Sequence, residues 1–132
     1  MSTHARIGIS QEKMVKTIFV HYDGNSLGLY LEQYYNTPEA VEELISYGDA
    51  ITIGECIGDK IDYNDYLKVI TLSGKQCMFF HRDKGEPLVI TEMTEDELAD
   101  SEEFNYLYKK ECWRISCNET NNEFVKLKDI WR

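Results

Sequence analysis

The sequence has no apolar run that approaches the roughly 20 residues needed to span a bilayer. Its longest such stretches lie around residues 17–20 and 77–80, and no apolar h-region follows the N-terminus, so a soluble, intracellular protein with no membrane partner is expected. Proline is scarce, with two residues in 132, Pro38 and Pro87, each at the edge of an element. No Pro/Gly linker, internal repeat or low-complexity tract interrupts the chain, so residues 1–132 are read as a single domain. Basic residues are also few. Fourteen Lys and Arg stand against 24 Asp and Glu, and the net charge of −10 argues against direct binding to nucleic acid or to an anionic membrane. Missing too are GxGxxG, the P-loop, GxSxG and HExxH, which excludes the recognised hydride, phosphoryl, acyl and zinc-protease machineries.

The four cysteines, Cys56, Cys77, Cys112 and Cys117, fit neither CxxC zinc pairs nor a dense secreted scaffold, and they are read as reduced thiols. Cys77 lies in Gln76-Cys77-Met78-Phe79-Phe80 and is expected in the core. Cys112 and Cys117 would face opposite sides of one strand, which argues against a shared metal. No metal site and no cofactor is expected. What the sequence does have is packing material: 42% hydrophobic and 12% aromatic residues, incompatible with disorder.

Residues 5–10 and 14–20 read as a β-hairpin joined at Gln11-Glu12-Lys13. Leu27, Tyr30, Leu31 and Tyr34 share one helical face, with Ser26 as N-cap. A second helix starts at Thr37-Pro38, buries Val41, Leu44 and Ile45, and stops at Gly48. Residues 49–66 read as a long irregular connection and a candidate functional element. Strands are expected at 67–72, 76–81 and 88–91. Thr94-Glu95-Asp96-Glu97 is a capping box opening an acidic helix to about Glu103, and further strands follow at 106–108, 113–117 and 124–127. The expected fold is α+β, an antiparallel sheet with two to three helices grouped on one face.

Two polar clusters fall at strand ends. His21-Tyr22-Asp23-Gly24 sits where a strand gives way to a helix, a place where a ligand carboxylate or phosphate can dock. The competing reading is a tight turn in which Gly24 supplies the positive φ. His81-Arg82-Asp83-Lys84-Gly85-Glu86 offers a guanidinium suited to bidentate anion binding and an imidazole suited to proton transfer. Its competing reading is an exposed charged turn. A third feature is acidic: Glu92, Glu95, Asp96, Glu97, Asp100, Glu102 and Glu103 occur with no Lys or Arg among them, either as a solvated face or as an imitation of nucleic-acid phosphate.

On these clusters the chain resembles a group of small bacteriophage proteins of unassigned role. The matching residues are His21-Tyr22-Asp23-Gly24, Tyr35, Val41, Leu44-Ile45, Gly48-Asp49 and Phe80-His81-Arg82-Asp83-Lys84-Gly85-Glu86, within residues 3 to 88. The chain departs from the family after Gly24, where Asn25-Ser26-Leu27-Gly28 is a shorter lead into the helix. The resemblance implies a phage accessory protein acting in the host cytoplasm, where proteins of this size commonly counter host defence.

The resulting expectation is an anti-defence protein that sequesters a small nucleotide-derived immune signal, an ADP-ribose derivative or a cyclic nucleotide, without cleaving it. His21, Tyr22, Asp23, Gly24, His81, Arg82, Asp83 and Glu86 form its ligand-binding set, with Arg82 and Asp23 in one pocket and Arg82 dispensable for folding. The alternative is an acidic inhibitor that engages a host defence protein or a nucleic-acid enzyme through its carboxylate-rich face. A small enzyme with His21 or His81 as general base ranks behind both. A homo-oligomer is expected, since strand ends and tyrosines suit self-association.

Overall fold

The structure is a computed structural model that describes residues 3–130. The chain forms one α+β domain around a mixed sheet of eight strands. β1 (Ala5–Ser10) and β2 (Val15–Val20) make the expected hairpin, their β-branched residues Ile7, Ile18 and Val20 wholly buried. α1 (Leu27–Tyr34) and α2 (Pro38–Ser46) follow. Then come β3 (Ala50–Thr52), α3 (Tyr66–Leu72), β4 (Met78–Phe79), α4 (Phe80–Lys84) and β5 (Thr91–Met93). The chain closes with α5 (Glu95–Ala99), β6 (Phe104–Lys109), β7 (Cys112–Cys117), β8 (Val125–Lys126) and α6 (Leu127–Ile130).

The strand order is β4-β3-β2-β1-β6-β7-β8, with β5 pairing β2 beside β3. Most neighbours are antiparallel, but β1–β6 and β2–β3 are parallel. These parallel pairs depart from the all-antiparallel expectation because they join strands distant in sequence, which no hairpin signal marks. The helices also divide between faces. Leu31 of α1 and Val41, Leu44 and Ile45 of α2 pack with Ile7, Ile18 and Tyr106 in the main core. Leu98 of α5 packs with Val15 and Leu107, whose side chains leave the sheet on the opposite side.

Where local chemistry is strong, the elements match it. Thr37 Oγ1 accepts from Ala40 N–H and Pro38 occupies the first helical position of α2. Thr94 and Glu97 close a reciprocal capping box on α5. Elsewhere the structure differs. Ser26 is already helical and its hydroxyl donates to Asp23 O instead of capping α1. Residues 67–72 form a helix, because Asp65 caps Lys68 N–H and Val69 and Leu72 turn inward at i, i+3. The irregular connection contains β3, and the strand expected over 88–91 begins only at Thr91. α5 ends at Ala99, short of Glu103, because buried Asn105 donates to Ala99 O and accepts from Glu102 N–H, replacing helical bonds with its own.

Long polar bonds lock the ends of these elements together. Trp113 Nε1 donates to Tyr35 O at the end of α1 (2.8 Å), and Tyr35 Oη donates to Gly54 O (2.7 Å). Burial pushes the Cys77 thiol up from its ordinary pKa, with Tyr35 Oη 3.2 Å away, consistent with the expected core placement. Asp49 joins the helical layer to the sheet by accepting from Phe19 N–H (2.8 Å).

Asp49 also makes stability pH-dependent. Burial raises its pKa, against the lowering effects of the Phe19 N–H and of Arg6. The folded chain therefore takes up a proton there more readily than the unfolded chain. This group's contribution is most favourable below the ordinary carboxylate range and is lost as pH rises through the raised value. Asp49→Asn keeps the acceptor and removes the buried charge. Calorimetry should find it at least as stable as wild type at neutral pH, with the difference closing below about pH 4; a clear loss of stability at neutral pH would contradict this.

Candidate functional site

Both sequence clusters lie at the same edge of the sheet, because β2 pairs with β3 at Val20↔Ala50 and β3 with β4 at Ala50↔Phe79. The next residue along each strand brings the rings of His21 and Phe80 to 6.4 Å, edge to face. His21 is further enclosed by His4, stacked at 5.0 Å, and by Tyr22 at 4.4 Å, and its N–H donates to Ala50 O.

The His-Tyr-Asp-Gly turn is built differently from the expectation. Asp23 itself adopts the left-handed conformation, with φ of 61°. Gly24 is required for a close approach: a Cβ there would lie 2.9 Å from His4 O. Its N–H donates to Thr3 O, and its carbonyl accepts from Tyr106 Oη at 2.7 Å. Tyr22 and Asp23 are exposed and line a hollow of about 310 Å³ with Ser26, Tyr30, Thr52 and Ser73. Among the described residues no Lys or Arg lines it.

The second cluster is a helical turn, α4, ended by Gly85 at φ 73°. Asp83 is 5% exposed and is consumed by structure. Its Oδ1 accepts from Ile61 N–H and from Arg82 Nε, each at 3.0 Å, and its Oδ2 accepts from Phe79 N–H at 2.8 Å. Arg82 is equally committed. Nη1 donates to Ile57 O (3.2 Å) and Gly58 O (2.9 Å), Nη2 donates to Cys77 O (3.0 Å), and the guanidinium lies over the rings of Phe79 and Tyr47. A phosphate would have to displace four of its five N–H bonds. Both side chains are thus committed to the fold; Arg82 lines neither the hollow that Asp23 borders nor the one described next, whereas Asp83 borders the latter. His81 and Glu86 are exposed: His81 Nδ1 donates to Glu86 O at 2.7 Å, while the Glu86 carboxylate lies 3.4 Å from Lys84 Nζ.

What this scaffold creates lies on its outer side. The loop pinned by Asp83 and the end of α4 enclose an open hollow of about 480 Å³ lined by Lys60, Ile61, Asp62, Tyr63, Asn64, Asp83, Lys84 and Gly85, so Asp83 braces the loop and also borders the hollow. Lys84 Nζ sits 5.5 Å from the Tyr63 ring centroid and 5.6 Å from that of Phe80. Lys60, Tyr63, Asn64 and Lys84 were missed as site residues; the signal for three of them was the long 49–66 connection.

Neither His21 nor His81 is hydrogen-bonded to a hydroxyl, thiol or carboxylate among the described residues, so no nucleophile–base pair is assembled there. Among the same residues no group of three or more His, Cys, Asp or Glu is placed to hold a metal ion, and no helix is long and apolar enough to cross a membrane. No protein-family model matches the chain, and none of the curated proteins or solved structures matches it either.

The Arg82–Asp83 pair sets a direct prediction. Arg82→Ala leaves a buried carboxylate without its charge partner and should cost about 3–5 kcal/mol. Arg82→Lys should recover only a minority of this, since an ammonium cannot reach three carbonyls and a carboxylate in one plane. Denaturant unfolding measures both; an alanine variant within about 0.5 kcal/mol of wild type would refute the structural role.

Proposed function

We propose that the protein is a binding module that takes a small nucleotide-derived anion into the Lys60–Tyr63–Lys84 hollow and holds it without chemistry. The observation that carries this reading is that two lysines, Lys60 and Lys84, line one hollow beside the Tyr63 ring, along with the carboxylates of Asp62 and the structurally bonded Asp83, in a chain with ten more acidic than basic residues. Ammonium groups so placed suit phosphate, and the Tyr63 ring offers a surface on which a base stacks. Asp62 and Asn64 supply acceptors and donors for ribose hydroxyls and base edges. Gly85 supplies the left-handed turn, φ 73°, that ends α4 beside the hollow. The Lys84–Glu86 ion pair is exposed and weak, so a phosphate displaces it at little cost.

The resemblance to small phage proteins supports the finer reading, in which the ligand is a host immune signal such as an ADP-ribose derivative or a cyclic nucleotide and the protein acts by sequestering it in the host cytoplasm. Relative to the sequence expectation, the anion partner moves from Arg82 to Lys60 and Lys84.

Titration calorimetry with ADP-ribose and with a cyclic dinucleotide should find one of them bound. Lys60→Ala and Lys84→Ala should each weaken that binding by roughly ten- to a hundredfold, less than additively when combined. The ligand should be recovered intact after heat denaturation. Recovery of a cleaved product would make the protein an enzyme. Absence of binding, with both lysine variants still active in cells, would overturn the assignment.

A further inference from the structure

β5 is an edge strand. Its Thr91, Glu92 and Met93 pair with Thr17, Lys16 and Val15 of β2, and no strand among the described residues covers its other side. The segment leading into it is apolar and exposed: Leu88 is 48%, Val89 44% and Ile90 36% accessible. Val89 O accepts from Asp49 N–H, which ties this residue inward. Leu88 and Ile90, by contrast, make no backbone hydrogen bond with any described residue. By the alternation of an antiparallel pair, Glu92 also has its N–H and C=O on the side away from β2: Phe19 N–H, on that flank of β2, is spent on Asp49, so the odd-numbered residues of β2 face β5. The result is an open row of backbone donors and acceptors beside exposed apolar side chains, a form that natural proteins ordinarily cover or blunt.

The surrounding charge is of one sign. Residues 86–103 carry eight Asp and Glu and no Lys or Arg. Glu95 is bonded to Lys109, Glu86 lies near Lys84, and Glu97 closes the capping box. Glu92, Asp96, Asp100 and Glu103 are exposed and have no basic partner among the described residues; the nearest countercharge on the facing strand is Lys16, opposite Glu92.

From these observations we infer that residues 88–93 form a docking edge for an extended, Lys- or Arg-bearing segment of another protein, which adds as a strand alongside β5. Backbone pairing requires a strand-like occupant, and the exposed Leu88, Val89 and Ile90 require apolar side chains at some of its positions. The uncompensated carboxylates require cations at others. A second copy of this chain does not satisfy the site. Two 88–93 edges paired about a two-fold axis bring apolar residues together but double the acidic 92–103 run, with no Lys or Arg in either copy of it to offset the charge.

The probe is the blocked heptapeptide Lys-Val-Lys-Val-Lys-Val-Lys, compared by fluorescence anisotropy with a peptide of the same composition in the order Lys-Lys-Lys-Lys-Val-Val-Val and with the alternating peptide N-methylated at every second residue. The alternating peptide should bind at least about tenfold more tightly than either control, and Glu92→Lys with Asp96→Lys should weaken it by about tenfold or more. Amide exchange at Ile90 and Glu92 should slow when it is bound, while exchange in β7 should not change. Equal binding of all three peptides would reduce the effect to bare charge attraction, and failure of the alternating peptide to bind would remove the site. Sedimentation showing a dimer of the chain that protects the same amides would identify a second copy as the occupant. Each of these three results overturns the proposal.

Discussion

A guanidinium and a carboxylate adjacent in sequence hold the 57–61 loop, β4 and α4 together, where the loop pairs with the β4 segment through the isolated Cys56↔Gln76 bridge. Asp83 takes the N–H of Phe79 in β4 and the N–H of Ile61 in the irregular loop, while Arg82 takes the carbonyls of Ile57, Gly58 and Cys77. The bond between their own side chains, at 3.0 Å, keeps both from being buried unpaired. Two strand residues are enough for β4 because its continuation is replaced by this pair, which turns the chain into α4 and anchors the preceding loop in the same step. The candidate ligand hollow exists because the loop is held there: Ile61 is tied inward, and Lys60, Asp62, Tyr63 and Asn64 line the outer side.

The division of labour among charged residues follows from this. The cation best suited to phosphate, Arg82, is spent on backbone carbonyls, and the anion work passes to lysines whose flexible stems reach solvent. The other sequence cluster is likewise mostly architectural. His21 is packed among rings, and Gly24 lets the backbone approach residue 4 while Tyr106 bonds its carbonyl, leaving Tyr22 and Asp23 to face a separate hollow that no Lys or Arg among the described residues lines.

How much of this was legible in the sequence depended on how local the deciding interaction was. Thr37-Pro38 and the Thr94–Glu97 box fix their helix starts within four residues, and both helices begin where the pattern placed them. The hairpin and the last three strands were equally legible from alternation. α3 was not, since an apolar run of seven residues fits either period and only Asp65 and the inward Val69 and Leu72 distinguish them. The parallel pairing of β1 with β6 spans about a hundred residues and leaves no local mark. At the site, the location of a polar edge was legible but not the direction of its side chains. A charged tetrad His81-Arg82-Asp83-Lys84 reads as a solvated turn, and only tertiary contacts show that its middle two residues point inward and its outer two do not.

Native-state hydrogen exchange at the Ile61 amide tests the central claim most directly. Ile61 lies in an irregular loop, yet its N–H is bonded to the same carboxylate as that of Phe79 in β4. If the Arg82–Asp83 pair organises this part of the molecule, the Ile61 amide should open with a free energy close to that of Phe79, and both should lose protection together in Arg82→Lys. Exchange of Ile61 at the rate of neighbouring exposed loop amides such as Lys60, with Phe79 unaffected by the substitution, would contradict the account.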